Sequence, residues 1–99
     1  MSYSVWIDPS AVSETKATPG NVRQILKRAM RDMGSDPRPA GSKELDWPSE
    51  PFQPRRLKIR NWRIIYAVDD TAHWVWVLAV RKRPPYDYGD LGELLGQLG

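Results

Sequence analysis

Ninety-nine residues with a formal charge of +3 and a pI near 9.4 are enough for one domain spanning 1–99 and leave no room for a second core. Cysteine is absent, which excludes disulfides, thiolate metal sites and cysteine nucleophiles and fits a reducing compartment; the cytoplasm is the expectation. The start, MSYSVWIDPS, has no basic region followed by an apolar run, and no apolar stretch approaches the roughly 18 residues that span a bilayer, so neither export nor membrane insertion is expected. The small positive surplus favours an anionic partner only weakly, and the placement of the cations carries more information than their sum.

In chain order, SYSVWI (2–7) alternates Tyr3, Val5 and Ile7 against Ser2, Ser4 and Trp6, which predicts a strand. DPSAVSETKA (8–17) predicts a short helix with Asp8 as N-cap and Pro9 at the first helical position, stopped by Pro19-Gly20. Val22, Ile25, Leu26, Ala29, Met30 and Met33 follow helical spacing, which predicts a helix over 21–33 ended by Gly34. Residues 35–54 hold five Pro and one Gly and read as a loop over the body of the domain, pinned by Trp47 and Phe52. Strands follow at about 55–60, 62–68 and 73–82, the last two joined by the turn DDTA. DYGDLGELLGQLG ends the chain with Leu91, Leu94, Leu95 and Leu98 on one face of a short helix.

The stretch RRLKIRNWRIIY (55–66) raises the central question, because it places Arg55, Arg56, Lys58, Arg60 and Arg63 in two strands and their turn. Alternation sends Leu57 and Ile59 to one face and Arg56, Lys58 and Arg60 to the other. If Arg60-Asn61 is a two-residue turn, Ile59 pairs with Trp62 and Lys58 with Arg63, so the apolar faces coincide. Strict alternation through 73–82 then adds Trp74, Trp76, Leu78 and Val80 to the apolar face, which makes Trp62, Trp74 and Trp76 core rather than a stacking platform. It leaves Val75, Val77, Ala79, Arg81 and Arg83 beside Lys58 and Arg63. Like charges opposed across a ladder destabilise by about 0.2–1 kcal/mol, and no acidic residue in these strands offsets Lys58 and Arg63. Such an arrangement points to an anion site, with small Ala67 and Ala79 leaving the sheet floor open and a phosphodiester backbone as the matching anion.

The order of strand, helical hairpin and three-stranded meander, with NVRQILKRAM, DPRPAGSKEL, WRIIYAVDD and VLAVRKR, resembles the RelE/ParE toxins of bacterial toxin–antitoxin pairs over nearly the whole chain. The resemblance implies an α+β fold: a small twisted antiparallel sheet with an N-terminal strand and helical hairpin on one face, plus a short C-terminal helix. It further implies a cognate antitoxin as partner. RelE-like members of the family cut mRNA on the ribosome; ParE-like members inhibit gyrase. On the RelE pattern, Arg56 and Lys58 match the paired basic positions, Arg63 the signature arginine, and Arg83 the arginine closing the last long strand. Pro84-Pro85 alters the spacing to the C-terminal tyrosine and leaves Tyr86 or Tyr88 as the candidate. Arg60, Arg81 and Lys82 complete the nucleic-acid-binding set.

Cleaving RNA requires a deprotonated 2′-OH, a stabilised pentavalent phosphate and a protonated leaving oxygen, and held cations can meet these demands with no metal or other cofactor. On this reading Lys58 is the base, Arg56 and Arg63 hold the phosphate, Arg83 assists the leaving group by analogy with the family, and Tyr86 or Tyr88 stacks on a base. His73 is the only histidine and reads as an exposed turn residue, and Asp69-Asp70 as turn structure rather than a metal pair. The leading expectation is a ribosome-dependent mRNA endonuclease; a ParE-like gyrase inhibitor and a catalytically degenerate binding module are the alternatives.

Overall fold

The computed structural model describes residues 2–46, 52–96 and 98. Five strands form one sheet in the order β1-β5-β4-β3-β2: β1 (Ser4–Ile7), β2 (Ser42–Glu44), β3 (Gln53–Ile59), β4 (Trp62–Asp69) and β5 (Trp74–Lys82). Helices α1 (Pro9–Lys16), α2 (Gly20–Asp32) and α3 (Leu91–Gly96) complete the fold. The architecture is the α+β arrangement expected from sequence, and β1 joins the meander as a parallel edge beside β5, which makes the sheet mixed. Asp8 caps α1 through its carboxylate, which accepts from the Ser10 N–H at 2.9 Å and the Ser10 hydroxyl at 2.6 Å, with Pro9 in the first turn.

The main core lies between the helical hairpin and one sheet face. Ala11 of α1 and Val22, Leu26 and Met30 of α2, followed by Met33, pack on Leu57, Ile64, Tyr66, Val68, Val75, Val77 and Val80. Tyr66 is fully buried because its hydroxyl has a partner, donating to the Pro37 carbonyl at 2.8 Å. At the far end of the sheet Asp70 accepts from Arg38 at 2.8 Å and from Tyr3 at 2.6 Å, while the Asp69 carboxylate accepts from the Ala72 N–H at 3.0 Å. Both carboxylates therefore serve structure, and hydrogen bonds from Arg38 and then Tyr3 hold the Asp70 carboxyl below its ordinary pKa. His73 sits half-buried in the turn before β5 with its ring edge-on to Tyr3.

Three sequence expectations need correction. The 35–54 segment contains β2, whose Lys43 pairs with Arg56; within it Phe52 is half-buried against the second core, whereas Trp47 lies outside the described residues. More consequentially, the register between β4 and β5 shifts at Ile65/Tyr66, pairing Ile65 with Ala79 but Tyr66 with Val77. Leu78 is the extra residue of a bulge, so Leu78 and Ala79 both join the second core and the alternation before them is inverted. Val75 and Val77 are therefore in the helix-side core, while Trp76 packs on the opposite layer and Trp74 is exposed there. Lastly, Ala67 and Ala79 do not form an open floor: both are fully buried in a layer that includes Leu91, Leu94 and Leu95 of α3.

Candidate nucleic-acid interface

Past the bulge the register restores what alternation requires at the other end of the sheet. Lys58 lies opposite Arg63, and Arg63 lies opposite Arg81, so three cations form a row across β3, β4 and β5 on the face away from the hairpin. Arg56, opposite Ile65, lies on the same face. Arg60 forms the turn with Asn61 in a left-handed backbone (φ 54°), and the Arg83 N–H donates to the Asn61 carbonyl at 2.7 Å, which ties the end of β5 to that turn.

These cations differ in their partners. Arg81 is only 26% exposed and is paired with both Glu14 of α1 and Asp90, the residue before α3, at 3.0 Å for the latter. Glu14 also accepts from the Val80 N–H at 3.0 Å, so one carboxylate secures both the backbone and the side chain of β5 where β1 has ended. Asp90 accepts from the Tyr86 hydroxyl at 2.7 Å as well. Desolvation works to raise the Asp90 pKa, but the hydrogen bonds from Tyr86 and Arg81 outweigh it and hold the carboxyl below its ordinary value. Burial, followed by the Asp90 hydrogen bond, pushes the Tyr86 phenol well above the ordinary tyrosine range, so this hydroxyl stays protonated.

Arg63 meets no carboxylate, yet it is not without partners. Its guanidinium donates to the Arg60 and Trp62 carbonyls at 3.1 and 3.0 Å, bracing the turn. The Arg63 Nε is buried with no partner among the described residues. Arg56 donates to the Gly41 carbonyl at 2.9 Å. Lys58, Arg60, Lys82 and Arg83 have no ion pair among the described residues, and all four are exposed.

Tyr86 and Tyr88 lie edge-on to each other at 4.8 Å, with Arg81 and Arg83 over their respective rings at 5.7 and 5.2 Å. Tyr88 has a left-handed backbone (φ 64°), a conformation that costs a bulky residue on the order of 1–3 kcal/mol, and its buried hydroxyl has no partner among the described residues. The structure thus brings Arg56, Lys58, Arg60, Arg63, Arg81 and Arg83 to one end of the sheet, and Tyr86 and Tyr88 stand beside two of them, whereas Lys82, opposite Trp62 of the hairpin-side core, lies on the other face. Sequence reasoning missed Glu14 and Asp90. Asp90 was within reach, four residues after Tyr86, but nothing in the α1 sequence marks Glu14 as a partner for β5.

No protein-family profile matches the chain, and no curated protein sequence does. Solved structures do. A chain of the archaeal RelE–RelB complex from Pyrococcus horikoshii superposes with a TM-score of 0.76 over 87% of this chain and all of that one, at 18% identity. The chain has the RelE toxin fold. This RelE-like fold also matches a chain of the Mycobacterium tuberculosis RelBE2 toxin–antitoxin complex (TM-score 0.69, 19% identity, 84% of this chain and 100% of that). A chain of the intact E. coli RelBE complex matches at 27% identity, with a TM-score of 0.65 over 81% of this chain and 95% of that one.

Proposed function

We propose that this chain is the toxin of a toxin–antitoxin pair and acts in the cytoplasm as a ribosome-dependent mRNA endonuclease. The observation that carries the reading is the uncompensated half of the basic row. Lys58 stands opposite Arg63 with no ion-pair partner described for either, whereas Arg81 in the same row has two carboxylates. Cations left without counter-ions across a ladder cost stability, and a phosphate is the ligand that repays them. The complexes in which the similar chains occur support an antitoxin as partner.

In this reaction Lys58 takes the 2′-OH proton, the 2′-oxygen attacks the adjacent phosphorus, and the bond from phosphorus to the 5′-oxygen breaks. Arg83 assists protonation of the departing 5′-oxygen, and the products are a 2′,3′-cyclic phosphate and a 5′-hydroxyl. Arg56 and Arg63 hold the non-bridging oxygens, with Arg63 preorganised by its two carbonyl contacts. Arg60 meets a flanking phosphate, and Lys82, on the hairpin side of the strand end, stands outside the site. Tyr88, standing over Arg83, is the better placed of the two tyrosines to stack on a base, since the Tyr86 hydroxyl is engaged by Asp90. The role of Arg81 shifts from phosphate contact to a clasp that joins α1, β5 and the start of α3.

Inducing the protein in growing cells tests this reading. Arrest of translation with mRNA cut within reading frames is the expected result; intact mRNA with gyrase-dependent DNA damage would transfer the chain to the ParE-like class, and unimpaired growth would leave a binding module.

A further inference from the structure

We propose that Asp90 and the Tyr86 hydroxyl are positioning residues for Arg83 and Tyr88, acting through the tyrosine rings and touching no substrate themselves. The inference rests on the reading that Arg83 and Tyr88 serve mRNA cleavage. Arg83 is exposed and has no ion pair among the described residues; what stands beside its guanidinium is the Tyr88 ring, 5.2 Å away. Attraction between a cation and a ring at the surface is too weak to fix a long, flexible side chain unless the ring itself is held still, so the place of the cation follows the place of the ring. Backbone bonds hold the course of the segment between β5 and α3: the Tyr86 N–H donates to the Lys82 carbonyl and the Leu91 N–H to the Tyr88 carbonyl, both at 3.2 Å. They do not orient the rings, and the Tyr88 hydroxyl, buried with no partner among the described residues, does not orient its own.

A continuous line of side-chain contacts reaches the pair from the half-buried clasp. Tyr88 lies edge-on to Tyr86 at 4.8 Å, the Tyr86 hydroxyl donates to one oxygen of Asp90 at 2.7 Å, and the other oxygen accepts from Arg81 at 3.0 Å. Asp90 is fixed at the start of α3, where its carbonyl accepts the Leu94 N–H at 3.0 Å. Arg81, 5.7 Å from the Tyr86 ring centre, is anchored in turn on Glu14 of α1. One carboxylate therefore fixes both members of the inner pair, Arg81 and Tyr86, and the inner pair sets the outer pair, Tyr88 and Arg83. A clasp that served stability alone needs only Glu14, Arg81 and Asp90; the Tyr86 hydroxyl and the ring-to-ring contact extend it to an exposed cation.

The test uses Tyr86→Phe in the full chain, which keeps the ring and removes the hydroxyl. Nuclear Overhauser contacts between the Tyr88 ring and the Arg83 side chain should be present in the wild type and at least about threefold weaker in the variant, with amide positions in β3 and β4 unchanged as a check on the fold. On ribosomes carrying mRNA, kcat should fall about tenfold while KM stays within about twofold, the pattern of lost positioning rather than lost binding. Because the hydroxyl acts through Asp90, Asp90→Ala should show the same losses, and adding Tyr86→Phe to it should change kcat by less than about twofold. Val22→Ala trims the hairpin-side core and supplies a less stable protein whose kcat, measured well below its melting temperature, should match the wild type. The proposal is overturned if the wild type lacks the Arg83–Tyr88 contact, if Tyr86→Phe keeps that contact or full kcat, if the loss appears in KM alone, if the effects of the two substitutions multiply, or if Val22→Ala lowers kcat as much, which would reduce the clasp to stability. A wild-type protein that cuts no mRNA overturns the nuclease reading instead; the Arg83–Tyr88 contact, measured without ribosomes, then decides by itself whether Asp90 and Tyr86 hold the pair.

Discussion

The two faces of the sheet are organised differently. Against the hairpin the apolar layer is continuous, from Leu57 through Ile64, Tyr66 and Val68 to Val75, Val77 and Val80. The opposite face is divided: α3 and the aromatic residues cover β4 and β5 around Ile65, Ala67, Leu78 and Ala79, while the end nearest the Arg60-Asn61 turn is a row of cations. Within that row Arg81, next to the covered half, has two carboxylate partners, and Lys58, farthest from it, has none among the described residues. A charge that serves the fold is surrounded by counter-charges from other elements; a charge kept for a ligand is left without them.

Breaking the covered half should have the largest effect on stability. Leu94→Ala removes a buried side chain of α3 and should cost about 2–5 kcal/mol, read as a lower denaturant midpoint. Arg81→Met comes next. It leaves Glu14 and Asp90 without their cation, and because all three side chains are a quarter to a third exposed the cost is discounted to about 1–2 kcal/mol. If Arg81→Met proves as stable as wild type, the distinction between the two halves of the row collapses.

Arg63→Gln should cost about 1 kcal/mol, since the guanidinium braces the Arg60 and Trp62 carbonyls. This reverses the expectation from charge repulsion alone, under which removing Arg63 would hold or raise stability.

The smallest effect is pH-dependent. Asp90 and Asp70 both have depressed folded-state pKa values, so each contributes stability that is fully present above the unfolded value of about 3.9 and is lost as pH falls through the folded value. The loss on acidification should therefore begin near pH 4 and be smaller in Asp90→Asn than in wild type. Equal loss in the two proteins would remove Asp90 from the clasp.

The meander, the hairpin and the pairing of Lys58 with Arg63 were legible because each rests on local periodicity and a two-residue turn. The bulge at Leu78 was not. Residues 74–80, WVWVLAV, are apolar on both faces, so alternation alone carries no signal for a shift there, and Val75, Val77, Trp74 and Trp76 fell on the wrong sides. The cations of the candidate site were legible from parity near the turn, beyond the bulge. Their partners were not, because Glu14 arrives from α1, 67 residues before Arg81, and such long-range pairing leaves no mark in a local pattern. The leucines of α3 were readable as a helical face, but not that they would cover Ala67 and Ala79.

The most direct test of the central claim combines melting and cleavage on one Lys58→Ala sample. Lys58 is exposed and has no ion pair among the described residues, so its removal should change stability by less than about 0.5 kcal/mol. Cleavage of mRNA on purified ribosomes should fall by about 10²–10³-fold, the usual loss when a preorganised group is removed from a charged transition state. Full cleavage by a normally folded Lys58→Ala protein would contradict the account.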